Sequence, residues 1–410
     1  MKKHLYIWAL SVLLLIAAAF ALRLVFAPQN TGRMDTKDNG NVPAVASAPV
    51  SEKPPKDSNI VKWRVPISSQ AECLEGVMWP DDYEWLVGER SGRITALTPN
   101  GGIQWQVTHS NNNWQSLVSL RCDVSIVAVS FQGTVCLLEE SDGSIRWMRK
   151  TDGTFMHAPR FGKIGDTRVL YLLSQSDSTI FCLRLDDGEL LWQSEPSNRC
   201  DGRPEFWGDK LVFGNCDGVV YVVDANTGQT LGTIETGGQS DPMASEMVAV
   251  TSGLVTGTYL GNFLLLDPET MTLLDNVKIA DSEAFATPVY IGDATVAMGT
   301  PDGRISLWDT RERKLQSKGE IHVNKDGIDE MVFDNEKKLF WVLAGRTLNR
   351  VCLENQDVQT YNIGDNMKSL TVNPWGEEWK LVLLADGDVV CLDLDTVAHG
   401  VPAVQKGKTE

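Results

Sequence analysis

Residues 217–235 read DGVVYVVDANTGQTLGTIE, and this stretch contains the pattern that decides the fold. Gly218 precedes an apolar segment, 219–223, and Gly228 closes a polar turn before a second segment, 229–234. Asparagine and glycine tolerate the left-handed backbone of a tight turn, so the stretch predicts a β-hairpin. A single hairpin cannot bury its own faces and is only marginally stable. The prediction therefore depends on whether the chain repeats the pattern.

The pattern occurs eight times at a nearly constant spacing. The position of Gly218 is occupied in turn by Gly92, Gly133, Ser178, Gly218, Gly261, Gly303, Thr347 and Gly387. These residues are 41, 45, 40, 43, 42, 44 and 40 positions apart, and repeats of this length are typical of four-stranded propeller blades. The strands on either side of each position are apolar at consecutive residues, as expected for sheets covered on both faces. The fold is therefore predicted to be all-β, an eight-bladed β-propeller over residues 59–404.

A tryptophan marks the outermost strand of the first three repeats. Trp105, Trp147 and Trp192 each follow a turn glycine by four residues. The stretch 59–65, NIVKWRV, looks like another such strand but has no blade of its own. We therefore predict that it closes the ring as the outer strand of blade eight, with Trp63 at the tryptophan position. The corresponding residues of blades four to seven are predicted to be Gly232, Asp275, Ser317 and Tyr361.

The N-terminus has the features of a membrane anchor, predicted over residues 1–27. Residues 5–22 contain no charge and follow two lysines, Lys2 and Lys3. About 20 apolar residues can span the hydrocarbon core as one helix. The basic flank predicts a single-pass protein with a cytoplasmic N-terminus and a periplasmic propeller. The alternative is a cleaved signal peptide, because residues 19–21 read Ala-Phe-Ala.

The remaining polar segments and the overall charge limit the classes of partner. Residues 28–58 are rich in Pro, Ser, Ala and charged residues, and we predict a disordered linker there. Residues 405–410 are predicted to be a polar tail. The formal net charge is −17, which argues against nucleic acid as a partner because phosphate binding requires a basic surface.

The eight cysteines divide into two groups of four, and the first group is predicted at strand ends or turns: Cys73, Cys122, Cys200 and Cys216. Cys200 and Cys216 flank one predicted hairpin and form the best candidate disulfide, which an exported domain would allow. Four others fall in the third strand of their blades and are predicted to be buried free thiols: Cys136, Cys182, Cys352 and Cys391. The sequence contains no C-x-x-C pattern, so no zinc site is predicted.

The segments that enter the first strand of each blade should meet at one mouth of the axial channel. The polar residues predicted near this mouth are His157, Arg160, Arg203, Glu205, Asp241 and Glu283. The functional interpretation is a binding site for a peptide strand or a small ligand, and the alternative is a solvated rim. No nucleophile is spaced to work with these residues, so no catalytic residue is predicted.

Three segments carry a resemblance to a known family. GTVCLLEESDGSIRW (133–147), STIFCLRLDDGELLW (178–192) and GVVYVVDANTGQTLG (218–232) resemble the PQQ-like, or quinoprotein-type, propeller repeat. The dehydrogenase branch of that family holds PQQ and calcium and carries a disulfide between adjacent cysteines. This chain has no adjacent cysteines and no room for the long insertions of those enzymes. The resemblance therefore implies no catalytic, cofactor-binding or metal-binding residue here.

The non-catalytic branch includes the propeller subunit of the outer-membrane β-barrel assembly machinery, which this chain resembles in size and blade count. The resemblance implies a membrane-anchored scaffold of the cell envelope, without a cofactor, that binds envelope proteins through blade-edge loops or the channel mouth. The chain departs from that subunit in its anchor, which reads as a helix. The alternative function is a PQQ-dependent quinoprotein oxidoreductase. A sensor is a third interpretation, disfavoured because so few residues precede the apolar stretch.

Overall fold

The structure, a computed structural model, describes residues 60–78, 83–120, 123–236, 241–283, 286–362, 367–373, 380–385 and 387–393. Within these ranges, 32 β-strands form eight four-stranded sheets. No helix in the described ranges is long and apolar enough to cross a membrane. The predicted anchor (1–27), linker (28–58) and tail (405–410) lie outside the described residues.

The first four blades use sixteen strands in chain order. Blade one contains β2 (Ala71–Met78), β3 (Tyr83–Glu89), β4 (Arg93–Leu97) and β5 (Ile103–Thr108). Blade two contains β6 (Trp114–Leu120), β7 (Ser125–Ser130), β8 (Thr134–Glu139) and β9 (Ile145–Lys150). Blade three contains β10 (Arg160–Ile164), β11 (Thr167–Leu173), β12 (Ile180–Arg184) and β13 (Leu190–Gln193). Blade four contains β14 (Glu205–Trp207), β15 (Lys210–Gly214), β16 (Val219–Asp224) and β17 (Thr230–Glu235).

The last four blades repeat this order, and blade eight borrows the first strand of the chain. Blade five contains β18 (Val248–Val250), β19 (Gly253–Gly257), β20 (Asn262–Asp267) and β21 (Thr272–Lys278). Blade six contains β22 (Val289–Gly292), β23 (Thr295–Gly299), β24 (Arg304–Asp309) and β25 (Gln316–His322). Blade seven contains β26 (Ile328–Asp334), β27 (Leu339–Ala344), β28 (Thr347–Cys352) and β29 (Val358–Tyr361). Blade eight contains β30 (Met367–Asn373), β31 (Lys380–Ala385), β32 (Asp388–Leu392) and β1 (Val61–Pro66).

The eight-bladed prediction and its ring closure are confirmed. In blades one to seven, consecutive strands pair antiparallel from the innermost strand A to the outermost strand D. In blade eight, β1 pairs antiparallel with β32, and Trp63 lies opposite Cys391. The first and last strands of the propeller therefore share one sheet, so closure couples the two ends of the domain.

The core lies between neighbouring blades. Every residue of β7 is buried, as is every residue of β19 and β23. A typical cluster joins Leu86 and Ile94 of blade one to Ile126 and Cys136 of blade two. Both faces of the central strands are covered in this way, which explains why their sequences are apolar at consecutive positions.

The glycine and tryptophan of the repeat form a contact between adjacent blades. Trp147 of blade two donates its indole N–H to the carbonyl of Leu185 in blade three, at 2.9 Å. A Cβ atom on Gly188 of blade three would stand 2.6 Å from Cε3 of Trp147. Three other glycines abut the tryptophan of the preceding blade in the same way: Gly101 on Trp63, Gly143 on Trp105 and Gly228 on Trp192. The spacing that identified the repeat therefore reflects a packing unit shared by two blades.

The outer-strand prediction is right for two of the four blades that lack the tryptophan and wrong for the other two. Gly232 and Asp275 occupy the tryptophan register in blades four and five. In blade six the residue opposite Leu307 is Gly319, not Ser317. In blade seven the residue opposite Val351 is Val358, not Tyr361. In blade six the connection between the third and fourth strands has six residues, against four or five in blades one to five. Blade seven lacks the register shift between these strands that blades one to six share.

The cysteines are free thiols among the described residues. Cys136, Cys182 and Cys391 are buried in third strands as predicted, whereas Cys352 is only half-buried. No disulfide joins Cys200 and Cys216 in the structure. The Sγ atom of Cys200 instead donates to the carbonyl of Ser174 at 3.3 Å, and burial raises the pKa of this thiol to about 12. The Sγ atom of Cys216 lies 3.8 Å from a carboxylate oxygen of Asp201.

Candidate binding site at the channel mouth

Four of the six residues predicted at the mouth take part in ion pairs between blades. Arg160, the first residue of β10, forms an ion pair with Glu205, the first residue of β14. The Nε atom of Arg160 also donates to the carbonyl of Pro204, at 2.9 Å. His157 and Arg203 lie in the segments that lead into the same two strands. The inner strands of blades three and four therefore present these side chains at a common end.

Glu246 of blade five joins two of these residues, although the sequence did not single it out. Its Oε2 atom lies 2.7 Å from Nε of Arg203, and its Oε1 atom lies 3.4 Å from Nδ1 of His157. Burial raises the pKa of Glu246. The hydrogen bond from His157 and the charges of Arg203, His157 and Arg160 outweigh that effect, and the net pKa lies below the ordinary value. Glu246 therefore stays ionised and ties blades three, four and five together.

Two further carboxyls, Glu75 of β2 and Glu330 of β26, approach from other blades. Burial raises the pKa of Glu75 to about 7, opposed only by the positive charge of Arg203. Burial likewise raises the pKa of Glu330 to about 7, opposed by a hydrogen bond of 2.9 Å from the backbone N–H of Leu370. The negative charge of Glu246 contributes to the raised pKa of Glu330. We call the set His157, Arg160, Arg203, Glu205, Glu246, Glu75 and Glu330 the channel cluster.

The other two predicted residues do not belong to the channel cluster. Asp241 is buried, and its carboxylate accepts hydrogen bonds from the backbone N–H of Leu260 at 2.9 Å and from Nδ2 of Asn262 at 2.7 Å. It therefore holds the turn between the second and third strands of blade five. Glu283 is half-buried and forms no ion pair with any residue of the described ranges.

The channel cluster can bind a polar group but has no metal-ligand arrangement in the described part of the chain. Glu205 and Glu246 are already neutralised by arginines, whereas Glu75 and Glu330 have no ion-pair partner among the described residues. With pKa values of about 7, these two carboxyls are roughly half protonated at pH 7, and strongly perturbed carboxyls concentrate at functional sites. A cationic group entering the channel would favour their ionised form.

The raised pKa of Glu75 predicts a specific pH dependence of stability. The folded pKa of about 7 exceeds the ordinary 4.5, so the folded state binds more protons between these values and loses stability as the pH rises through them. Glu75→Gln should therefore raise the free energy of unfolding at pH 8 by about 2–3 kcal/mol and leave it unchanged near pH 4. Urea unfolding at both pH values measures this difference. The exposed residue Glu235 supplies the control variant Glu235→Gln, and an equal gain at both pH values for Glu75→Gln would contradict the assignment.

Comparison with known proteins gives both a family and a fold. Residues 90–325 match the family model described as outer membrane protein assembly factor BamB. BamB of Shewanella oneidensis is 25% identical over 162 residues, which are 37% of this chain and 39% of that protein. The chain thus spans less than half the length of the curated relatives it matches.

Solved structures agree on the fold at lower identity. The crystal structure of BamB from Moraxella catarrhalis superposes with a TM-score of 0.63 at 16% identity, covering 81% of this chain and 98% of that one. Sqt1 of Saccharomyces cerevisiae gives a TM-score of 0.66 at 14% identity with the same coverage, 81% and 98%. These likenesses show the fold alone, because propellers host unrelated functions. The family match is different in kind, since it covers more than half of the chain, and the chain therefore belongs to the family of outer membrane protein assembly factor BamB, with a PQQ-like repeat.

Proposed function

We propose that this protein is a non-enzymatic scaffold of the cell envelope that binds a protein partner in outer-membrane protein assembly at the mouth of its channel. The observation that carries the proposal is the channel cluster, in which residues from five blades surround Glu75 and Glu330, two carboxyls that form no ion pair within the described residues. Membership of the assembly-factor family supports the same class of function.

The channel cluster favours a partner that inserts a basic side chain. Arg160 and Arg203 already have carboxylate partners, so an added anion would compete with Glu205 and Glu246. A lysine or arginine of the partner would instead meet Glu75 and Glu330 and stabilise their ionised forms. The overall charge of −17 would steer such a partner toward the propeller.

The proposal includes an anchor in residues 1–27, with residues 28–58 as a tether and the propeller in the periplasm. The apolar run without charges at 5–22 supports the anchor, and the two lysines before it support the orientation. Cysteine substitutions at residues 30 and 50 would test this topology in intact cells. A membrane-impermeant thiol reagent should label both from outside, whereas labelling only after cell lysis would contradict the periplasmic assignment.

Site-specific photo-crosslinking tests the binding site. A photoreactive amino acid at Met156, which is exposed beside His157, should capture an envelope protein in living cells. The same amino acid at Asp166, which is exposed in the turn between β10 and β11 at the other end of blade three, is the matched control. Glu246→Gln should reduce capture from Met156 by roughly tenfold, because it removes the anion that orients Arg203 and His157.

Two outcomes would contradict the proposed site. One is equal capture from Met156 and Asp166, and the other is capture from Met156 that Glu246→Gln leaves unchanged while circular dichroism shows a folded variant. The quinoprotein alternative has a separate test. If the protein is a quinoprotein oxidoreductase, addition of PQQ and calcium to the purified protein will give a quinone absorbance band that saturates at one equivalent. The loaded protein will then reduce a dye when an alcohol or sugar is added.

A further inference from the structure

A cleft of about 590 Å³ lies on the face opposite the mouth, across blades four to six. Its walls are the ends of inner and third strands and the turns that follow them, and they include Trp207, Ser252, Asp267 and Arg313. The channel cluster lies at the start of the inner strands, whereas Trp207 is the last residue of β14. The volume is in the range of small-ligand sites, about 300–1,000 Å³.

The charged side chains of the cleft are held in place and are electrically balanced. Arg313 of blade six forms an ion pair with Asp267 of blade five. The carboxylate of Asp267 also accepts hydrogen bonds from Oγ1 of Thr270 at 2.7 Å and from the backbone N–H of Glu269 at 2.9 Å. Glu269 in turn lies 2.7 Å from Nζ of Lys210 in blade four. Because each cation already faces a carboxylate, a phosphate or other simple anion gains little here.

The same lining provides an apolar surface and uncommitted hydrogen-bonding groups. Trp207 is half-buried against the core of blades four and five, which fixes its ring. At the edge of the cleft, Tyr290 is 42% exposed, and its hydroxyl accepts a hydrogen bond from the backbone N–H of Ala294 at 3.2 Å. The hydroxyl of Ser252 is buried and makes no hydrogen bond to any described residue. A buried polar group without a partner is costly, so a ligand that pairs with it gains affinity.

We propose that this cleft binds a neutral oligosaccharide of pyranose units. One face of a pyranose presents C–H groups, which pack on an aromatic ring such as Trp207. Its hydroxyls both donate and accept, so they match oriented arginine N–H groups, carboxylate oxygens and the hydroxyl of Ser252. An extended peptide would need a free strand edge, and this face is made of turns. A lipid surface would need a large exposed apolar patch, whereas Tyr290 is the single exposed large apolar residue of the described ranges that lies at this cleft.

Isothermal titration calorimetry and saturation-transfer NMR of the full chain test the proposal, with chitotetraose and cellotetraose as probes. The protein is kept in lauryldimethylamine oxide, because detergents with sugar headgroups would compete. We expect saturable binding of at least one of the two sugars at one site per chain. Trp207→Ala should weaken binding at least tenfold, because it removes the stacking surface.

A second variant guards against misfolding, since Trp207 contacts the core. Thr251 is exposed in the turn before β19, so Thr251→Arg should leave the fold intact and fill the cleft, abolishing sugar binding. Glu235→Gln, at an exposed outer-strand position, should bind sugar as the unaltered chain does. Absence of binding to both sugars, binding that survives Thr251→Arg, or tighter binding of the peptide acetyl-Thr-Val-Thr-Val-Thr-amide would overturn the proposal.

Discussion

Replacing β1, Val61–Pro66, by Gly-Ser-Gly-Ser-Gly-Ser is expected to remove most of the stability of the propeller. The expected loss is on the order of 5–10 kcal/mol, comparable to the whole stability of a typical domain. β1 is the outer strand of blade eight, and its pairing with β32 joins the start of the described propeller to its end. Its removal leaves β32 as an open edge and takes away the strand pairing that closes the ring.

The contacts of Trp63 explain why the effect should extend beyond blade eight. Its indole N–H donates to the carbonyl of Pro99 in blade one at 3.0 Å, and its ring packs on Gly101. Trp63 and Val65 also cover a core cluster that joins Trp85 of blade one to Val389 of blade eight. Loss of β1 therefore exposes apolar surface on both sides of the closure.

Urea unfolding of the full chain, followed by far-ultraviolet circular dichroism, measures this prediction. The same six-residue replacement at 52–57, within the linker predicted from the sequence, controls for the inserted residues. We expect a transition at much lower urea or an unfolded protein for the β1 variant and an unchanged transition for the control. An unchanged midpoint for the β1 variant would show that the ring does not depend on this strand.

Gly188→Ala is expected to destabilise the fold by about 3–4 kcal/mol. Gly188 has a φ of +72°, a conformation that costs an alanine about 1–2 kcal/mol. In addition, the new Cβ would stand 2.6 Å from Cε3 of Trp147, whose position is fixed by its hydrogen bond to Leu185. The contact joins blades two and three, so relief of the clash requires the blades to separate.

A second glycine of the chain provides a control that separates the backbone strain from the clash with Trp147. Gly165 has a φ of +58°, but a Cβ there meets no atom within 4 Å. Gly165→Ala should therefore cost only the backbone strain, about 1–2 kcal/mol. The double variant Trp147→Ala/Gly188→Ala should be more stable than the sum of the single effects predicts, because the clash disappears with the ring. Equal midpoints for Gly188→Ala and Gly165→Ala in urea would contradict the packing explanation.

The channel cluster was only partly predictable, because the repeat pattern marks the positions of some of its residues and not of others. Arg160 and Glu205 begin inner strands, so the repeat phase placed both at the mouth. Glu75 and Glu330 lie within inner strands. A carboxylate in an otherwise apolar inner strand was the one sequence feature that could have pointed to them. Asp241 was predicted at the mouth, and in the structure its carboxylate holds a turn, since a turn-forming aspartate and a ligand-binding aspartate look alike in sequence.

Local patterns in the chain were enough to predict the blade count, the strand order and the ring closure. These follow from local patterns, since turn glycines and apolar strands recur at fixed spacing, and Trp63 repeats the outer-strand motif without a blade of its own. The outer-strand registers of blades six and seven became visible only in the folded structure, and so did the ion-pair partners of His157 and Arg203. The folded structure also brings Trp207 of blade four and Arg313 of blade six into one cleft, although they are more than one blade apart in sequence. The physical reason is that a register depends on bulges and turn lengths, and a site between blades depends on how whole sheets pack, neither of which leaves a periodic trace in the chain.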